Sequence, residues 1–228
     1  MKNYAFIFAR GGSKGLPGKN IKPLAGKPLL QYSIETAKSC PSIDKIFVST
    51  DDKDISKVAI DNGATLIDRP AELASDESPE WLSWRHAIEW VEEKYGPFDS
   101  FISLPTTSPL RNVEDVERAI SKRTAVEADI CISVTPASRS PYFNMVKKNQ
   151  DESIALVNMS NGKVTRRQDA PRVFDITTVV YATTPSFVLN ESGIFNGIVT
   201  SVEVPKERAV DIDDIYDFML AEAILSDR

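Results

Sequence analysis

The sequence predicts an α/β fold in which a mostly parallel sheet lies between helices. Apolar, strand-like runs alternate with amphipathic helical segments through residues 1–135. The chain has 228 residues, of which 42% are hydrophobic, and this is enough to bury the core of one domain. Polar loops follow three of the strands, and in parallel sheets such loops meet at the edge where ligands bind. We therefore expect a single α/β domain over residues 1–228.

The first strand and helix are predicted from the spacing of apolar residues. Residues 4–9 form an unbroken apolar run, which is typical of a strand buried on both faces. Residues 28–39 carry apolar side chains at helical intervals, so one face of this helix can pack on the sheet. The apolar positions of the helix are Leu29, Leu30, Ile34 and Ala37.

The next elements repeat this alternation. Residues 45–49 and 64–67 have the composition of short buried strands. Thr50 and Asp51 are suited to cap the helix between these strands, which ends at Asp61. Residues 79–95 form a longer helix whose aromatic stripe belongs to the core, and Gly96 ends it. That stripe consists of Trp81, Trp84, Ile88 and Val91.

The remaining elements complete the sheet. Residues 100–104 and 129–134 are predicted strands, and a helix capped by Asn112 lies between them. After an interruption, the alternation resumes with a strand at 176–182, a helix at 185–189 capped by Thr184, a strand at 199–204, and a final amphipathic helix from Asp213 to the end.

The interruption, at about residues 137–173, is predicted to be a hairpin insertion. Its pattern is strand-like and broken by turn residues, with arms at 142–146 and 154–157. A hairpin alone is only marginally stable in water. We therefore expect it to pack on a second subunit, which predicts a homodimer.

Composition excludes several classes of function. The formal charge of −6 argues against a nucleic-acid-binding surface, and no apolar run is long enough to span a membrane. Cys40 and Cys131 are isolated and have no metal-ligand spacing. His86 is the one histidine, which excludes histidine-rich metal sites. The chain opens on a predicted strand without a signal-peptide pattern, so we expect a cytoplasmic protein.

The glycine-rich loop after the first strand is the strongest functional signal. Arg10, Gly11, Gly12, Ser13, Lys14, Lys19 and Asn20 combine flexible backbone with fixed positive charge. Backbone N–H groups and cations that converge in this way bind an oligophosphate. The loop is not a P-loop, because Ser13 stands where that motif needs glycine and Asn20 where it needs Ser or Thr. A flexible surface turn is the alternative interpretation.

Asp211 and Asp213 are the candidate metal ligands. They are two residues apart, so on extended backbone their carboxylates share one face. Mg²⁺ commonly uses one or two carboxylates and completes its shell with water and substrate phosphates. The alternative is that these acids, and Asp214 with them, complement the dipole of the last helix.

Further cations lie elsewhere in the chain. Arg166 and Arg167, with Gln168, form a cluster within the insertion, and Arg69 lies in the loop before Pro70. Arginine suits bidentate recognition of carboxylate and phosphate, so a reaction between two anionic substrates could use both groups. The alternative for each is an exposed arginine on a solvated surface.

Six stretches of the chain, taken in order, resemble the signature of the acylneuraminate (CMP-sialic acid) cytidylyltransferases. The resemblance implies a Rossmann-like nucleotidyltransferase domain, a homodimer completed by the hairpin insertion, and dependence on CTP and Mg²⁺. The reaction implied is attack of a sugar's anomeric hydroxyl on the α-phosphorus of CTP. The six stretches are residues 9–20, 48–51, 69–76, 107–111, 166–169 and 211–213.

The resemblance also assigns roles to residues. It implies nucleotide binding by the loop at 10–20, with Arg69, Ser78 and Thr107, and metal binding by Asp211 and Asp213. Arg10, Lys19 and Arg166 are the implied catalytic residues. Arg166, Arg167 and Gln168 are the implied sugar-binding residues. No side chain is identified as a general base.

Departures from the family pattern concern the acceptor sugar. Pro105 and Thr106 stand where many sialic acid enzymes have glutamine, and Thr177 and Thr178 stand where Asn-Gly is common. The expected acceptor is therefore a nine-carbon 2-keto-3-deoxy sugar acid, with legionaminic and pseudaminic acids beside N-acylneuraminate. The alternatives are a 3-deoxy-manno-octulosonate cytidylyltransferase and a non-catalytic nucleotide- or sugar-binding module.

Overall fold

The computed structural model describes residues 1–158, 164 and 166–227. Eleven strands and six helices lie in this part of the chain. The strands are β1 (Asn3–Phe8), β2 (Pro23–Leu24), β3 (Lys27–Pro28), β4 (Lys45–Thr50), β5 (Thr65–Asp68), β6 (Ser100–Ser103), β7 (Ile130–Pro136), β8 (Val146–Lys148), β9 (Ile154–Leu156), β10 (Phe174–Thr183) and β11 (Val199–Glu203). The helices are α1 (Leu29–Ser39), α2 (Lys53–Asp61), α3 (Glu80–Tyr95), α4 (Val113–Ala125), α5 (Pro185–Asn190) and α6 (Ile215–Ser226).

The central sheet has seven strands in the order β11-β7-β10-β6-β1-β4-β5. Every pairing is parallel except the two made by β10, which runs antiparallel to β6 and β7. The predicted α/β class with a mostly parallel sheet is therefore confirmed. β1 lies near the middle, so the loop that follows it opens at the centre of the sheet edge.

Helices cover both faces of the sheet. Alternate residues of β1 point to opposite faces, so Ile7 joins one core cluster and Phe6 joins the other. The first cluster includes apolar residues of α1, α2 and α4, and the second is built on the aromatic stripe of α3. Trp84 is 3% exposed, which confirms that this stripe is core.

Helix caps agree with the sequence at most positions and correct it at one. Asn112 and Thr184 cap α4 and α5 as predicted. The cap of α2 is neither Thr50 nor Asp51 but Asp52, whose carboxylate accepts hydrogen bonds from the backbone N–H groups of two residues in the first turn. Asp51 instead accepts a hydrogen bond from the N–H of Gly11, at 3.0 Å.

The insertion contains a hairpin with shorter arms than predicted. Its strands are β8 and β9, and the segment before β8 is a turn in which the N–H groups of Phe143, Asn144 and Met145 converge on the carbonyl of Ser140. The predicted arm at 142–146 is therefore strand only at its end. Residues 159–163 and 165 of the predicted insertion lie outside the described residues.

The segment between β11 and α6 is anchored by a buried ion pair. Arg208 donates two hydrogen bonds to Asp115, at 2.8 and 2.9 Å, and Asp115 is fully buried. Asp115 also completes the capping box of α4 with Asn112. This pair fixes the backbone three residues before Asp211.

Replacement of Arg208 by methionine should lower the free energy of unfolding by about 3 kcal/mol, because it leaves the carboxylate of Asp115 buried without its cation. Chemical denaturation measures the change. Arg172→Met is the matched control: this arginine is exposed, and its guanidinium lies 3.9 Å from Glu203. Its loss should cost less than about 1 kcal/mol. Equal effects of the two substitutions would contradict the anchoring role.

Candidate active site

A cleft of about 600 Å³ opens at the carboxyl ends of the parallel strands. The loop after β1, the loop after β6, the start of α3 and the segment before α6 form its walls. Ten residues singled out from the sequence line this cleft, although they come from distant parts of the chain. They are Arg10, Ser13, Lys14, Lys19, Asn20, Arg69, Ser78, Thr107, Asp211 and Asp213.

The glycine-rich loop is held in place by polar contacts at its base. Asn20 is buried, and its side-chain amide donates to the carbonyl of Arg10 at 3.0 Å. Its side-chain oxygen accepts a hydrogen bond from the hydroxyl of Thr106 at 2.7 Å, which joins this loop to the loop after β6. Gly11 and Gly12 belong to the loop but do not line the cleft. The two ends of the loop are therefore tied to each other and to the loop after β6.

Two cations of the loop share one carboxylate. Arg10 lies 2.6 Å from one oxygen of Asp76, and Lys14 lies 2.7 Å from the other. The hydrogen bond from Lys14 lowers the pKa of the Asp76 carboxyl, and Arg10 adds to this effect. The carboxylate of Asp76 therefore lies between these two cations in the cleft. The pattern of residues 69–76 gave no sign of this role for Asp76.

Lys19 joins the glycine-rich loop to the candidate metal ligands. Its ammonium donates to the carbonyl of Ile212 at 2.7 Å and lies 3.3 Å from the carboxylate of Asp213. The side chain of Lys19 is only 13% exposed, whereas the carboxylate of Asp213 faces solvent. The cationic loop and the aspartate segment thus form one site.

Arg69 is buried in the cleft wall and is not a surface arginine. Its guanidinium donates to the hydroxyl and the carbonyl of Ser49, at 3.1 and 2.8 Å, and lies over the ring of Phe8. Burial lowers its pKa to about 10, so it remains cationic at neutral pH. Near it, the hydroxyl of Ser78 is buried without a hydrogen-bond partner among the described residues. Both groups are available to a polar ligand.

Asp211 has the features of a metal ligand that still needs a partner. It is partly buried, and its Oδ1 atom has no hydrogen-bond partner among the described residues. Burial raises the pKa of its carboxyl, while the hydroxyls of Thr107 and Thr178 lie beside the carboxylate and oppose that shift. A hard cation at Oδ1 would satisfy this oxygen, so the site fits Mg²⁺.

The other acids of this segment differ in their surroundings. Asp213 is 77% exposed in its side chain and lines the cleft next to Lys19. Asp214 caps α6 by accepting hydrogen bonds from the N–H groups of Tyr216 and Asp217, as the alternative interpretation proposed for it. The described residues contain no group of three or more potential metal ligands. Any cation held here would therefore rely on a small carboxylate set, as Mg²⁺ commonly does.

The cleft also contains residues that the sequence did not assign to the site, among them Glu80, Thr178 and Tyr181. Glu80 accepts a hydrogen bond from the indole of Trp84 at 3.1 Å. It lines the cleft, and the protein packed around its carboxyl raises the pKa of that group by desolvation. Thr178 and Tyr181 project from β10 into the same cleft. An acid four residues before a tryptophan was the only local signal for Glu80.

The arginine cluster of the insertion does not reach this cleft. Arg166 forms two hydrogen bonds with Asp169, at 2.8 and 2.9 Å, and Arg167 donates to the carbonyl of Ser138 at 3.0 Å. Gln168 is the middle residue of the short helical turn Arg167–Asp169. The described part of a single chain therefore leaves these three residues outside the site formed by the loop cations.

No helix in the described part of the chain is long and apolar enough to cross a membrane.

Gly15 packs so closely on the carbonyl of Asp213 that an added Cβ would overlap it, whereas a Cβ on Gly12 would meet nothing within 4 Å. Gly15→Ala should therefore push the loop away from the aspartate segment and weaken binding of inorganic triphosphate. Gly12→Ala keeps the backbone N–H and should bind as the wild type does. Calorimetric titration measures both, and equal affinities for the two variants would contradict this packing.

Comparison with known proteins identifies the family. Residues 4–187 match the family model described as cytidylyltransferase. The post-translational flagellin modification protein B of Campylobacter coli is 32% identical over 97% of this chain and 94% of its own length. The CMP-N,N'-diacetyllegionaminic acid synthase of Campylobacter jejuni is 31% identical over 96% of this chain and 93% of its own length.

A solved structure shares the fold. A CMP-2-keto-3-deoxy-manno-octonic acid synthetase in complex with CTP aligns with a TM-score of 0.74 and 18% identity, covering 100% of this chain and 99% of the other. The nucleotidyltransferase architecture predicted from the sequence is thereby confirmed. The family match extends over most of the strands that carry the cleft, and the chain belongs to the cytidylyltransferase family.

Proposed function

We propose that this chain transfers the cytidylyl group of CTP to the anomeric hydroxyl of a nine-carbon 2-keto-3-deoxy sugar acid. The sugar oxygen attacks the α-phosphorus, the bond between that phosphorus and the oxygen leading to the β-phosphate breaks, and the hydroxyl proton passes to solvent. The products are a CMP-sugar and pyrophosphate. The observation that carries this proposal is the contact of Lys19 with residues 212 and 213, which joins cations and carboxylates in one cleft.

Recognition of the triphosphate is assigned to the glycine-rich loop. Arg10 and Lys14 each contact one carboxylate oxygen of Asp76. A phosphate group also has several oxygens and can contact both cations in the same way. We expect the triphosphate to replace Asp76 on these cations. Lys19 lies deeper and would face the phosphate nearest the aspartates. Phosphoryl transfer depends mainly on alignment and on neutralised charge, and these cations supply both.

Asp211 and Asp213 would hold Mg²⁺, with Asp211 contributing the oxygen that has no partner within the described residues. The bound ion supplies Lewis-acid stabilisation of charge on the phosphate oxygens. Thr107 and Thr178 line the cleft together with Asp211. Arg69 and the unpartnered hydroxyl of Ser78 lie in the adjacent wall and are assigned to the nucleotide.

The sugar acid is assigned to Arg166, Arg167 and Gln168 of a second subunit. Within one chain these residues lie outside the cleft, so they can act only on another copy's site or not at all. The insertion that carries them exposes large apolar side chains, as expected of a surface that packs on a partner. Those side chains are Phe143, Met145, Val146, Ile154 and Val157. Arginine suits the planar carboxylate of the sugar acid.

A sugar panel tests the reaction. The protein is incubated with CTP, Mg²⁺ and N-acetylneuraminate, diacetyllegionaminate, pseudaminate or 3-deoxy-manno-octulosonate, and pyrophosphate is measured. Release with a nine-carbon acid is the expected result, because the similar Campylobacter jejuni protein is named for such a product. Release with octulosonate alone would favour the alternative enzyme, and CTP binding with no release on any acid would favour a binding module.

Lys19→Met should lower kcat/KM for CTP by about 100-fold, because it removes a preorganised cation from the transferred phosphates. Lys22→Met is the matched control. The ammonium of Lys22 lies over the ring of Phe218, 5.5 Å from its centre, and Lys22 does not line the cleft. Steady-state kinetics should show wild-type turnover for the control. Wild-type turnover in Lys19→Met would contradict the role assigned to this lysine.

Mixed subunits test the homodimer. Lys19→Met and Arg166→Ala should each be inactive alone. If Arg166 acts on the partner's cleft, a mixed dimer contains one cleft with an intact Lys19 and an intact Arg166 from the other subunit. Activity should therefore return when the two variants exchange subunits. If exchange is demonstrated and no activity returns, Arg166 does not act across the dimer.

A further inference from the structure

Strand β10 carries a large bulge where it passes the cleft. Thr177 pairs with Ser133 of β7, but the next recorded pair is Tyr181 with Ile132. Three residues of β10, 178–180, therefore oppose no residue of β7. Bulges redirect side chains and are common beside active sites. Here the bulge directs Thr178 into the cleft.

Two buried side chains satisfy the polar backbone of this bulge. The hydroxyl oxygen of Ser133 accepts hydrogen bonds from the N–H of Val180, at 3.0 Å, and from the hydroxyl of Thr177, at 2.8 Å. Arg111 donates to the carbonyl of Val179 at 2.7 Å and to that of Thr178 at 3.3 Å. Arg111 also donates to the carbonyl of Pro105, in the loop that faces the bulge. The carbonyls of Thr178 and Val179 and the N–H of Val180 therefore have partners, which holds the bulge in this conformation.

The hydroxyl of Thr178 lies between two neighbouring hydroxyls and a carboxylate. Its oxygen accepts from Thr107 at 3.3 Å and lies 2.7 Å from the hydroxyl of Ser108. A threonine hydroxyl has one proton to donate and two lone pairs to accept with. When Thr107 and Ser108 donate to it, its own proton is free for a carboxylate oxygen of Asp211. Asp211 lines the same cleft, and the Thr178 hydroxyl acts to lower the pKa of that carboxyl.

We propose that Thr178 is a positioning residue that aims the Asp211 carboxylate into the cleft, and that Arg111 and Ser133 hold the bulge that places it there. The inference rests on the proposed function, in which Asp211 takes a divalent cation. Hydrogen-bond partners behind a ligand fix its direction, and their loss typically weakens metal affinity. The bulge thereby sets the position of the cation relative to the loop that binds phosphate.

Thr178→Val tests this proposal, because valine keeps the shape of threonine and lacks the hydroxyl. Cation binding is read from the rise in melting temperature as Mg²⁺ is added to the protein with CTP, and kcat and KM for CTP are measured alongside. Thr178→Val should need about tenfold more Mg²⁺ for the same rise. KM for CTP at saturating Mg²⁺ should not change. Thr178→Ser, which keeps the hydroxyl, should restore the wild-type response to the cation.

Ser133→Ala tests the support of the bulge, with Ser103→Ala as its control. Ser103 is a buried strand serine opposite Tyr181, and its hydroxyl has no partner among the described residues. Ser133→Ala should weaken the response to Mg²⁺ as Thr178→Val does, whereas Ser103→Ala should not.

The outcomes separate the inference from the proposed function. A wild-type protein that shows no response to Mg²⁺ and forms no CMP-sugar would overturn the function itself. If the wild type responds to Mg²⁺ and Thr178→Val responds equally, only the role of Thr178 is overturned. A loss of response in Thr178→Val and Thr178→Ser alike would also overturn it, because the hydroxyl would then not be the cause.

Discussion

The hydrogen bond from Lys19 to the carbonyl of Ile212 joins positions 193 residues apart, and the proposed chemistry depends on it. The N–H of Ile212 is held in turn by the carbonyl of Thr107, at 2.8 Å. One residue of the aspartate segment is thus fixed from both the loop after β1 and the loop after β6. Because the sheet brings these loops to one edge, a cation and two carboxylates meet there without any covalent link.

Charge in the cleft is balanced within the protein. Asp76 neutralises Arg10 and Lys14, and Asp213 faces Lys19, so no loop cation is left to repel another. These ion pairs are largely exposed and contribute little to stability. An anionic ligand can therefore exchange with them at low cost. Arg69 differs, because it is buried against Ser49 and Phe8 and forms no ion pair among the described residues.

Local signals in the sequence predicted the succession of strands and helices in the first half and the cationic loop, because apolar spacing and glycine-rich composition act over short distances. The caps at Asn112 and Thr184 were predictable for the same reason. The cap of α2 by Asp52 instead of Asp51 was not predictable, because Asp51 accepts a hydrogen bond from the N–H of Gly11, which lies 40 residues away in the sequence. The bulge at Thr178 depends on Arg111 and Ser133, whose proximity only the folded sheet creates. The role proposed for the insertion requires a second chain, whose surface no local pattern of this sequence describes.

The most direct test of a shared cleft is a crystal structure of the protein with CTP and Mg²⁺. We expect the triphosphate oxygens to contact Arg10 and Lys14, with the Asp76 carboxylate displaced from both. The cation is expected on Asp211. A nucleotide bound elsewhere, with Asp76 still paired to Arg10 and Lys14, would contradict it.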